Sequence, residues 1–325
     1  MNKPILVTGG AGYIGSHAAV ALMERGEKVV ILDDLSESKR SQIPEGAIFV
    51  EGSIGNADLV TNVITTHGIE SVMHFAGFIQ VGESVRDPQK YFKNNVENMR
   101  IFAETCASLG VKHFIFSSSA AVYGNPERVP VGEDDRLAAI NPYGETKVQG
   151  EKLLSQLPSM QKGILRYFNV AGTDPKGRIG YRHQERPTHM IRSCIRALIE
   201  DDLFVINGND YPTRDGTCIR DYIHVSDLAD AHVKTLDYLR NGGMTRTFNC
   251  GDGHGYTNLE VVKTVEKVGE KSLRLAFGPR REGDPASLIA DASRIRKELG
   301  WAPQFTLEDM VRHELAWVRH TMQTA

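Results

Sequence analysis

The sequence is poor in the features that mark several large classes of protein. It has only four cysteines in 325 residues, and no two of them form a C-x-x-C pair, which argues against a zinc knot or a disulfide framework. No apolar run reaches the roughly 18 residues needed to span a bilayer, and the first residues lack the long apolar stretch of a signal peptide. These gaps predict a cytoplasmic protein with reduced thiols, no structural metal and no membrane partner.

The chain also lacks a large excess of positive or negative charge. The chain has 38 Lys and Arg residues against 41 Asp and Glu residues, for a formal net charge of -3, and it contains no long basic block. Nucleic acid is therefore not an expected partner. A nucleotide ligand held by a few local contacts is compatible with this balance.

The first half of the chain does contain a repeating order of short apolar runs and helical stretches. Repeated units of this length predict a parallel sheet with right-handed crossovers. Strands are predicted over residues 5–8, 28–32, 48–50, 71–75, 113–117 and 164–168. Helices are predicted through 18–24, over 57–66 and 91–109, and from about 143.

The pattern loosens after residue 169. Residues 172–187 are polar and predict a long loop, a type that is often functional. Shorter strands follow at 204–206 and 247–250, and helices at 227–239, 258–268 and 307–320. We expect a cofactor-binding domain over residues 1–170 and a smaller α/β substrate domain over residues 171–325, with some later segments returning to the first lobe.

A glycine-rich segment joins the first strand to the first helix. Gly9, Gly12 and Gly15 fit G-x-x-G-x-x-G, and Gly10 offers the alternative G-x-G-x-x-G. Such glycines allow a tight turn and a close approach of backbone to a pyrophosphate at the helix N-terminus. Asp33 at the end of the second strand can accept from both ribose hydroxyls and would repel a 2′-phosphate. The segment predicts a Rossmann-type doubly wound sheet that binds NAD rather than NADP.

A second constellation is typical of proton transfer. Asn141 suits a helix N-cap and Pro142 the first helical position, so Tyr143 and Lys147 lie one turn apart on one helix face. A phenol has a pKa of about 10, and we expect the ammonium and the helix N-terminus to lower it. Ser119 ends a strand at the sheet edge where ligands bind, and its hydroxyl could contact the reacting oxygen.

Several segments together carry a resemblance to a known family. They comprise residues 7–17, 74–77, 81–84, 114–119, 143–147, 166–172, 220–225 and 279–284. On these residues the chain resembles the extended short-chain dehydrogenases, and among them the UDP-glucose 4-epimerases, over nearly its whole length. The segments of the second half are not shared across all NAD enzymes, which makes the resemblance specific.

The resemblance implies a mechanism. Tyr143 would remove the proton of the sugar 4-hydroxyl, Lys147 would hold the nicotinamide ribose and depress the tyrosine pKa, and Ser119 would orient the 4-oxygen. NAD would take the C4 hydride and return it to the opposite face after the 4-keto sugar has turned over. The implied reaction interconverts UDP-galactose and UDP-glucose, and the implied assembly is a homodimer.

The resemblance also implies two sets of binding residues. Those for the cofactor are Gly9, Gly12, Tyr13, Ile14, Gly15, Asp33, Ser53, Ile54, Phe75, Ala76, Gly77, Asn94, Tyr143 and Lys147. Those for the UDP-hexose are Ser119, Tyr143, Asn169, His189, Arg220, Arg281 and Asp284.

Some positions depart from the family pattern. Ser53 stands where the family usually has Asp near the adenine. Thr188 and His189 replace two asparagines of some relatives, and His189 either approaches the phosphates or packs. Leu288 replaces a bulky Tyr that narrows the sugar pocket in some relatives, so the smaller side chain is compatible with N-acetylhexosamines.

Three other functions remain open. The chain could be a 4-epimerase of another UDP-sugar, either an N-acetylhexosamine or a pentose. It could also be an NAD-binding regulator without chemistry, although such a protein needs no Tyr, Lys and Ser set. A 4,6-dehydratase of the same fold is disfavoured, because Ala120 and Ala121 follow Ser119 where that reaction needs an acid.

Overall fold

The computed structural model describes residues 3–181, 189–281 and 284–323. Its contacts divide the chain into two compact units. The first unit consists of Met1–Gly124, Leu137–Arg166 and Ala229–Phe248, and the second of Asn125–Arg136, Tyr167–Leu228 and Asn249–Ala325. Each unit therefore draws on both halves of the chain. From the sequence we expect one soft boundary near residue 170, with some later segments returning to the first lobe. The assignment of cofactor binding to residues 1–170 and of substrate binding to residues 171–325 stays a prediction.

The first half alternates strands and helices as the pattern predicts. In chain order the elements are β1 (Ile5–Thr8), α1 (Tyr13–Glu24), β2 (Val29–Asp33), β3 (Ile48–Glu51), α2 (Ala57–His67), β4 (Ser71–His74), α3 (Val81–Arg86), α4 (Pro88–Phe92), α5 (Met99–Ser108), β5 (His113–Ser119), α6 (Pro142–Ser155) and β6 (Gln161–Tyr167). A 3-10 turn covers Arg40–Gln42, a π-helical segment Lys93–Asn98 joins α4 to α5, and another 3-10 turn covers Ala120–Tyr123. The helix predicted over 91–109 is thus a run of three segments, in which a π-helical segment separates two α-helices.

The second half contains shorter elements. They are β7 (Asn169–Ala171), α7 (Met190–Glu200), β8 (Leu203–Asn207), β9 (Ile219–His224), α8 (Val225–Arg240), β10 (Arg246–Cys250), β11 (Gly255–Thr257), α9 (Asn258–Gly269), β12 (Arg274–Gly278), β13 (Ser287–Leu288), α10 (Ser293–Leu299) and α11 (Leu307–Gln323). The loop predicted over 172–187 falls partly outside the described residues.

Within the described residues, seven strands form a sheet in the order β10-β6-β5-β4-β1-β2-β3. The pairs from β3 to β5 are parallel, and Thr8 lies opposite both Leu32 and His74 in register. The chain starts in the middle of this sheet, builds outward through β2 and β3, and then crosses back to β4. The doubly wound α/β prediction is confirmed. Ligands of such sheets bind where the strand order reverses, at the carboxyl ends of the strands, which here means the ends of β1 and β4.

Burial explains why these segments are strands. All residues of β1, β2 and β4 are buried, as expected for parallel strands covered on both faces. The hydrophobic cluster on one face includes Leu6, Val30, Val72, Phe102 and Phe114. The sheet therefore forms a rigid base for the loops at its carboxyl edge.

The second unit has its own core and its own small sheet. Helices α7, α9 and α11 contact one another, and their buried residues include Ile195, Val261 and Val311. Strand β9 pairs with β7, β11 and β13. Neither α7 nor β9 was predicted from the sequence, although Ile191, Ile195 and Leu198 of α7 follow the helical repeat that marks a buried face.

Candidate active site

The turn after β1 can be built only from glycines at two positions. Gly9 has φ of +68°, and a Cβ there would lie 2.5 Å from the backbone nitrogen of Ala76. A Cβ on Gly15 would lie 2.2 Å from the carbonyl oxygen of Gly9. At Gly12, the N-cap of α1, a Cβ would meet only the Gly9 oxygen, at 3.2 Å. This leaves open space in front of the helix N-terminus, and the cradle fits a pyrophosphate there.

The carboxylate of Asp33 is oriented by three donors. The Ala11 backbone N–H donates to Oδ2 at 3.0 Å, while the Leu35 N–H and the Ser38 hydroxyl donate to Oδ1, both at 2.9 Å. The side chain is 8% exposed. The predicted ribose-binding acid is thus preformed and anchored to the glycine turn.

A cleft with about 550 Å³ of open space lies beside this carboxylate. Eight of the predicted cofactor residues line it: Gly9, Gly12, Asp33, Ile54, Phe75, Ala76, Gly77 and Asn94. Among the described residues the lining does not include the other six predicted cofactor residues, Tyr13, Ile14, Gly15, Ser53, Tyr143 and Lys147. Ser53 instead caps the following turn, since its Oγ accepts from the Gly55 N–H at 3.1 Å. Gly15 allows the packing of α1 against the turn.

The π-helical segment Lys93–Asn98 forms part of the cleft wall. Asn94 lines the cleft, and the buried Asn95 accepts from the Phe78 N–H at 2.8 Å and donates to the Phe78 carbonyl at 2.9 Å. The Asn95 amide also donates to the Thr146 hydroxyl on α6, at 3.3 Å. A π-helical turn is rare and frequent at functional sites. Here it connects the cofactor cleft to the helix that carries Tyr143.

Every backbone donor in the first turn of α6 is accounted for. Pro142 has no N–H, and the N–H of Gly144 donates to the Asn141 side chain at 2.8 Å. The N–H of Tyr143 donates to Oγ of Ser84, at 3.2 Å, and Ser84 is fully buried. The cap and first-turn predictions are confirmed. Ser84 belongs to the segment 81–84 that carries the resemblance, but its role was not predicted, because this role depends on a contact across 59 residues.

Lys147 lies one turn beyond Tyr143 and is buried. Its Nζ donates to the carbonyl of Ser117 at 2.8 Å and lies 5.8 Å from the centre of the Tyr143 ring. Burial lowers the pKa of Lys147 to about 8, against the opposing effect of Glu151. The ammonium is therefore held at the end of β5, beside the tyrosine.

Ser119 completes the set at the end of β5. Its Oγ accepts from the Ala121 N–H at 3.2 Å, and a hydrogen bond with Ser119 lowers the pKa of Tyr143. Burial has the larger, opposite effect, so the pKa of Tyr143 is raised in the protein alone. We expected a lowered value from the neighbouring ammonium and the helix N-terminus. The expectation was wrong for the protein alone, because the free-energy cost of removing a phenolate from water exceeds the stabilisation that these groups provide.

Strand β9 positions residues of the second unit. Arg220 is paired in register with Tyr256 of β11 and Leu288 of β13. Its Nη1 donates to the carbonyls of Ile219 and Pro285, both at 2.8 Å, and its Nη2 lies 3.4 Å from the carboxylate of Asp284. The guanidinium is therefore fixed in orientation, with its side chain only 12% exposed.

The other predicted substrate residues lie in the same unit. Asn169 is exposed and opens β7, opposite Tyr222 of β9. With its amide oxygen facing the guanidinium, Asn207 at the end of β8 accepts from Nε of Arg281 at 3.0 Å. Asn207 was not predicted as a site residue from the sequence. Its position directly after the strand predicted over 204–206 could have indicated it.

His189 immediately precedes α7. Its ring packs edge-on against Tyr181, with the centroids 5.6 Å apart, and burial together with Arg192 lowers its pKa to about 4. It is therefore a neutral imidazole at physiological pH. Thr188, Glu282 and Gly283, which belong to the motifs above, lie outside the described residues.

The described residues offer neither a metal cluster nor a membrane-spanning helix. No group of three or more His, Cys, Asp or Glu side chains there could hold a metal ion. None of the helices in that part of the chain combines the length and the apolar character that crossing a bilayer requires.

Comparisons with known proteins agree with this geometry. A profile described as the NAD dependent epimerase/dehydratase family matches residues 5–251. A UDP-glucose 4-epimerase of Azospirillum brasilense is 48% identical over 98% of this chain and 93% of its own length. Among solved structures, a UDP-glucose 4-epimerase from Stenotrophomonas maltophila with bound NAD and formylated UDP-arabinopyranose has a TM-score of 0.97 at 37% identity, with both chains covered completely. The UDP-Glc/GlcNAc 4-epimerase of Campylobacter jejuni has a TM-score of 0.86 at 38% identity, covering 98% of this chain and 100% of that one. The chain belongs to the NAD dependent epimerase/dehydratase family.

Proposed function

We propose that this protein interconverts UDP-galactose and UDP-glucose by transient oxidation at C4 with NAD. The observation that carries the proposal is the convergence of Tyr143, Lys147 and Ser119 at the end of β5, in a chain 48% identical to a UDP-glucose 4-epimerase. A regulator without chemistry would not need these three groups together.

The residues of the first unit fit NAD. The open space before Gly12 suits the pyrophosphate, and Asp33, with its carboxylate already oriented, suits the adenosine ribose hydroxyls. Lys147 suits the second ribose. When bound, NAD would supply the acceptor for the C4 hydride and additional positive charge.

Tyr143 is the group that would take the proton of the 4-hydroxyl. Burial raises its pKa in the protein alone, so it holds its proton until more positive charge is bound nearby. The Lys147 ammonium and the Ser119 hydroxyl are fixed by the backbone at Ser117 and Ala121. They can therefore stabilise the phenolate without rearranging, which is the condition for efficient electrostatic catalysis.

The second unit offers groups suited to a nucleoside diphosphate. Arg220 and Arg281 can donate in fixed forks to phosphate oxygens. Asp284 can accept from ribose hydroxyls, and the exposed amide of Asn169 can contact the diphosphate. We expect the contact between Arg220 and Asp284 to be exchanged for contacts with the ligand.

The test is conversion of UDP-galactose to UDP-glucose by the purified protein, with Tyr143→Phe as the variant. We expect the variant to lose at least about 10²-fold in kcat, as removal of a general base does. Tyr238→Phe is the matched control, because Tyr238 of α8 packs on Phe248 of β10, and this variant should retain wild-type activity. No conversion by the wild type, or near-normal conversion by Tyr143→Phe, would refute the proposal.

Leu288 supports a second candidate, a 4-epimerase that also accepts N-acetylated hexosamines. This half-buried residue is paired with Arg220, and it is smaller than the tyrosine of relatives with a narrow pocket. Comparing kcat/KM for UDP-galactose and UDP-N-acetylgalactosamine in wild type and Leu288→Tyr tests this. The variant should lose the N-acetylated substrate selectively. UDP-pentoses belong in the same assay, since one related structure holds a UDP-arabinopyranose derivative.

We also propose a cytoplasmic homodimer, on the strength of the resemblance. Sedimentation of the purified protein at micromolar concentration tests the assembly. A monomeric mass would overturn it without affecting the proposed reaction.

A further inference from the structure

A buried ion pair lies directly behind the candidate catalytic residues. Nε and Nη2 of Arg166 on β6 donate to the two carboxylate oxygens of Glu151 on α6, at 2.9 and 2.6 Å. The two side chains are only 7% and 8% exposed. Replacing such a pair by apolar residues often costs no stability, so its contribution to folding does not by itself account for it. The other hydrogen bonds that the two side chains make therefore indicate the role of the pair.

The ion pair forms hydrogen bonds with residues on both sides of Ser119 in the chain. Oε1 of Glu151 accepts from the hydroxyl of Ser118, which is fully buried, at 2.5 Å. Nη1 of Arg166 donates to the phenol of Tyr123 at 3.0 Å, in the 3-10 turn that follows Ser119. Ser119 is thus held between two residues that are anchored to the same pair.

The pair also supplies charge beside Lys147. Glu151 lies one helical turn beyond Lys147 and raises its pKa, against the larger effect of burial. The other groups that face Lys147 are Tyr143 on α6, Phe116 and Ser117 on β5, His74 on β4, and Gly77 and Asn95 beside the cleft. Since burial and Lys147 hold His74 in its neutral form, Glu151 is the anion among these groups.

We propose that Glu151 and Arg166 are positioning residues that hold Ser119 and the Lys147 ammonium in place around Tyr143. The inference rests on the proposed epimerase function. The pair does not touch substrate or cofactor in this scheme. It fixes the strand end that presents Ser117 and Ser119, and it stabilises the charged form of Lys147.

The test uses Glu151→Gln, which keeps the shape of the side chain and removes its charge. We expect kcat for UDP-galactose to fall about tenfold or more while KM changes less than about twofold, because the contacts to UDP lie elsewhere. The alkaline limb of the pH profile of kcat should move down by about one pH unit, since Lys147 loses its anion. A merely structural pair would not move that limb.

Glu314→Gln is the matched control. Glu314 forms another strongly buried arginine pair of the described residues, with Arg192, at 2.5 Å, and both residues belong to the second unit, whereas Ser119 and Lys147 belong to the first. This variant should lose comparable thermal stability and keep wild-type kcat and pH profile. Equal effects on kcat in the two variants would overturn the proposal.

Ser118→Ala provides a second route if Glu151→Gln does not fold. It removes one hydrogen bond and leaves the ion pair intact, so we expect a folded protein with kcat reduced about threefold or more. Wild-type kcat in Ser118→Ala would overturn the positioning role. Conversion by the wild type separates this result from a failure of the proposed function, since the proposed function fails only if the wild type is inactive or Tyr143→Phe is active.

Discussion

Removing the hydroxyl of Ser84 should impair catalysis although Ser84 touches neither substrate nor cofactor in the proposed mechanism. In Ser84→Ala the N–H of Tyr143 loses its 3.2 Å acceptor in a place that is closed to solvent. An unpaired buried donor costs about 1–3 kcal/mol. The first turn of α6 can relieve this cost by shifting, and such a shift displaces the phenol that it carries.

The assay measures kcat, KM and thermal unfolding for Ser84→Ala and for a control, Thr306→Ala. Thr306 accepts from the Asp309 N–H near the start of α11 at 3.2 Å, and losing such a cap costs about 1 kcal/mol. Both variants should lower Tm by roughly 2–4 °C per kcal/mol lost. Only Ser84→Ala should lower kcat, by about ten- to hundredfold. Wild-type kcat in Ser84→Ala would refute the idea that Ser84 positions Tyr143.

Three further predictions follow from described contacts. Gly15→Ala should abolish NAD binding in calorimetry, because its Cβ would lie 2.2 Å from the Gly9 oxygen; retained affinity would contradict the close packing. Arg220→Lys should raise KM for UDP-galactose about tenfold with little change in kcat, since lysine lacks the fixed fork; an unchanged KM would exclude a phosphate contact. Burial lowers the pKa of His74 from 6.5 to about 3, so the unfolded state binds more protons and stability should fall as pH drops below 6.5, by up to about 1.4 kcal/mol per pH unit. Urea unfolding at pH 7 and 5 should show a smaller loss for His74→Gln than for wild type, and equal losses would refute this.

Local signals carried most of the fold and the centre of the site. The alternation of apolar runs predicted the parallel sheet because buried parallel strands are apolar throughout. Gly9 is needed for its positive φ and Gly15 for its close packing, and both can be recognised in a sequence motif of seven residues. Tyr143 and Lys147 share a helix face, so their relation is also visible in the sequence.

Contacts between distant segments could not be predicted in this way. Ser84 and Tyr143 are 59 residues apart, and Asn95 and Thr146 are 51 apart, and neither pair belongs to a local pattern. The extent to which individual side chains are buried could not be predicted from the sequence either. Burial reverses the expected direction of the Tyr143 pKa in the protein alone, and it depends on the packing of the whole unit.

The π-helical segment Lys93–Asn98 has a consequence for how this chain tolerates changes in length. Successive residues of an α-helix are rotated by about 100°, so a single extra residue accommodated in the wider turn changes which side chains face inward. Deleting one residue from this segment would let a regular helix run through it and would turn Asn94 and Asn95 away from the cleft and from Phe78. Length variation among homologues of this chain should therefore be absent from this helix even where surrounding residues differ, and a one-residue deletion here should be far more damaging than the same deletion in the exposed turn after α8.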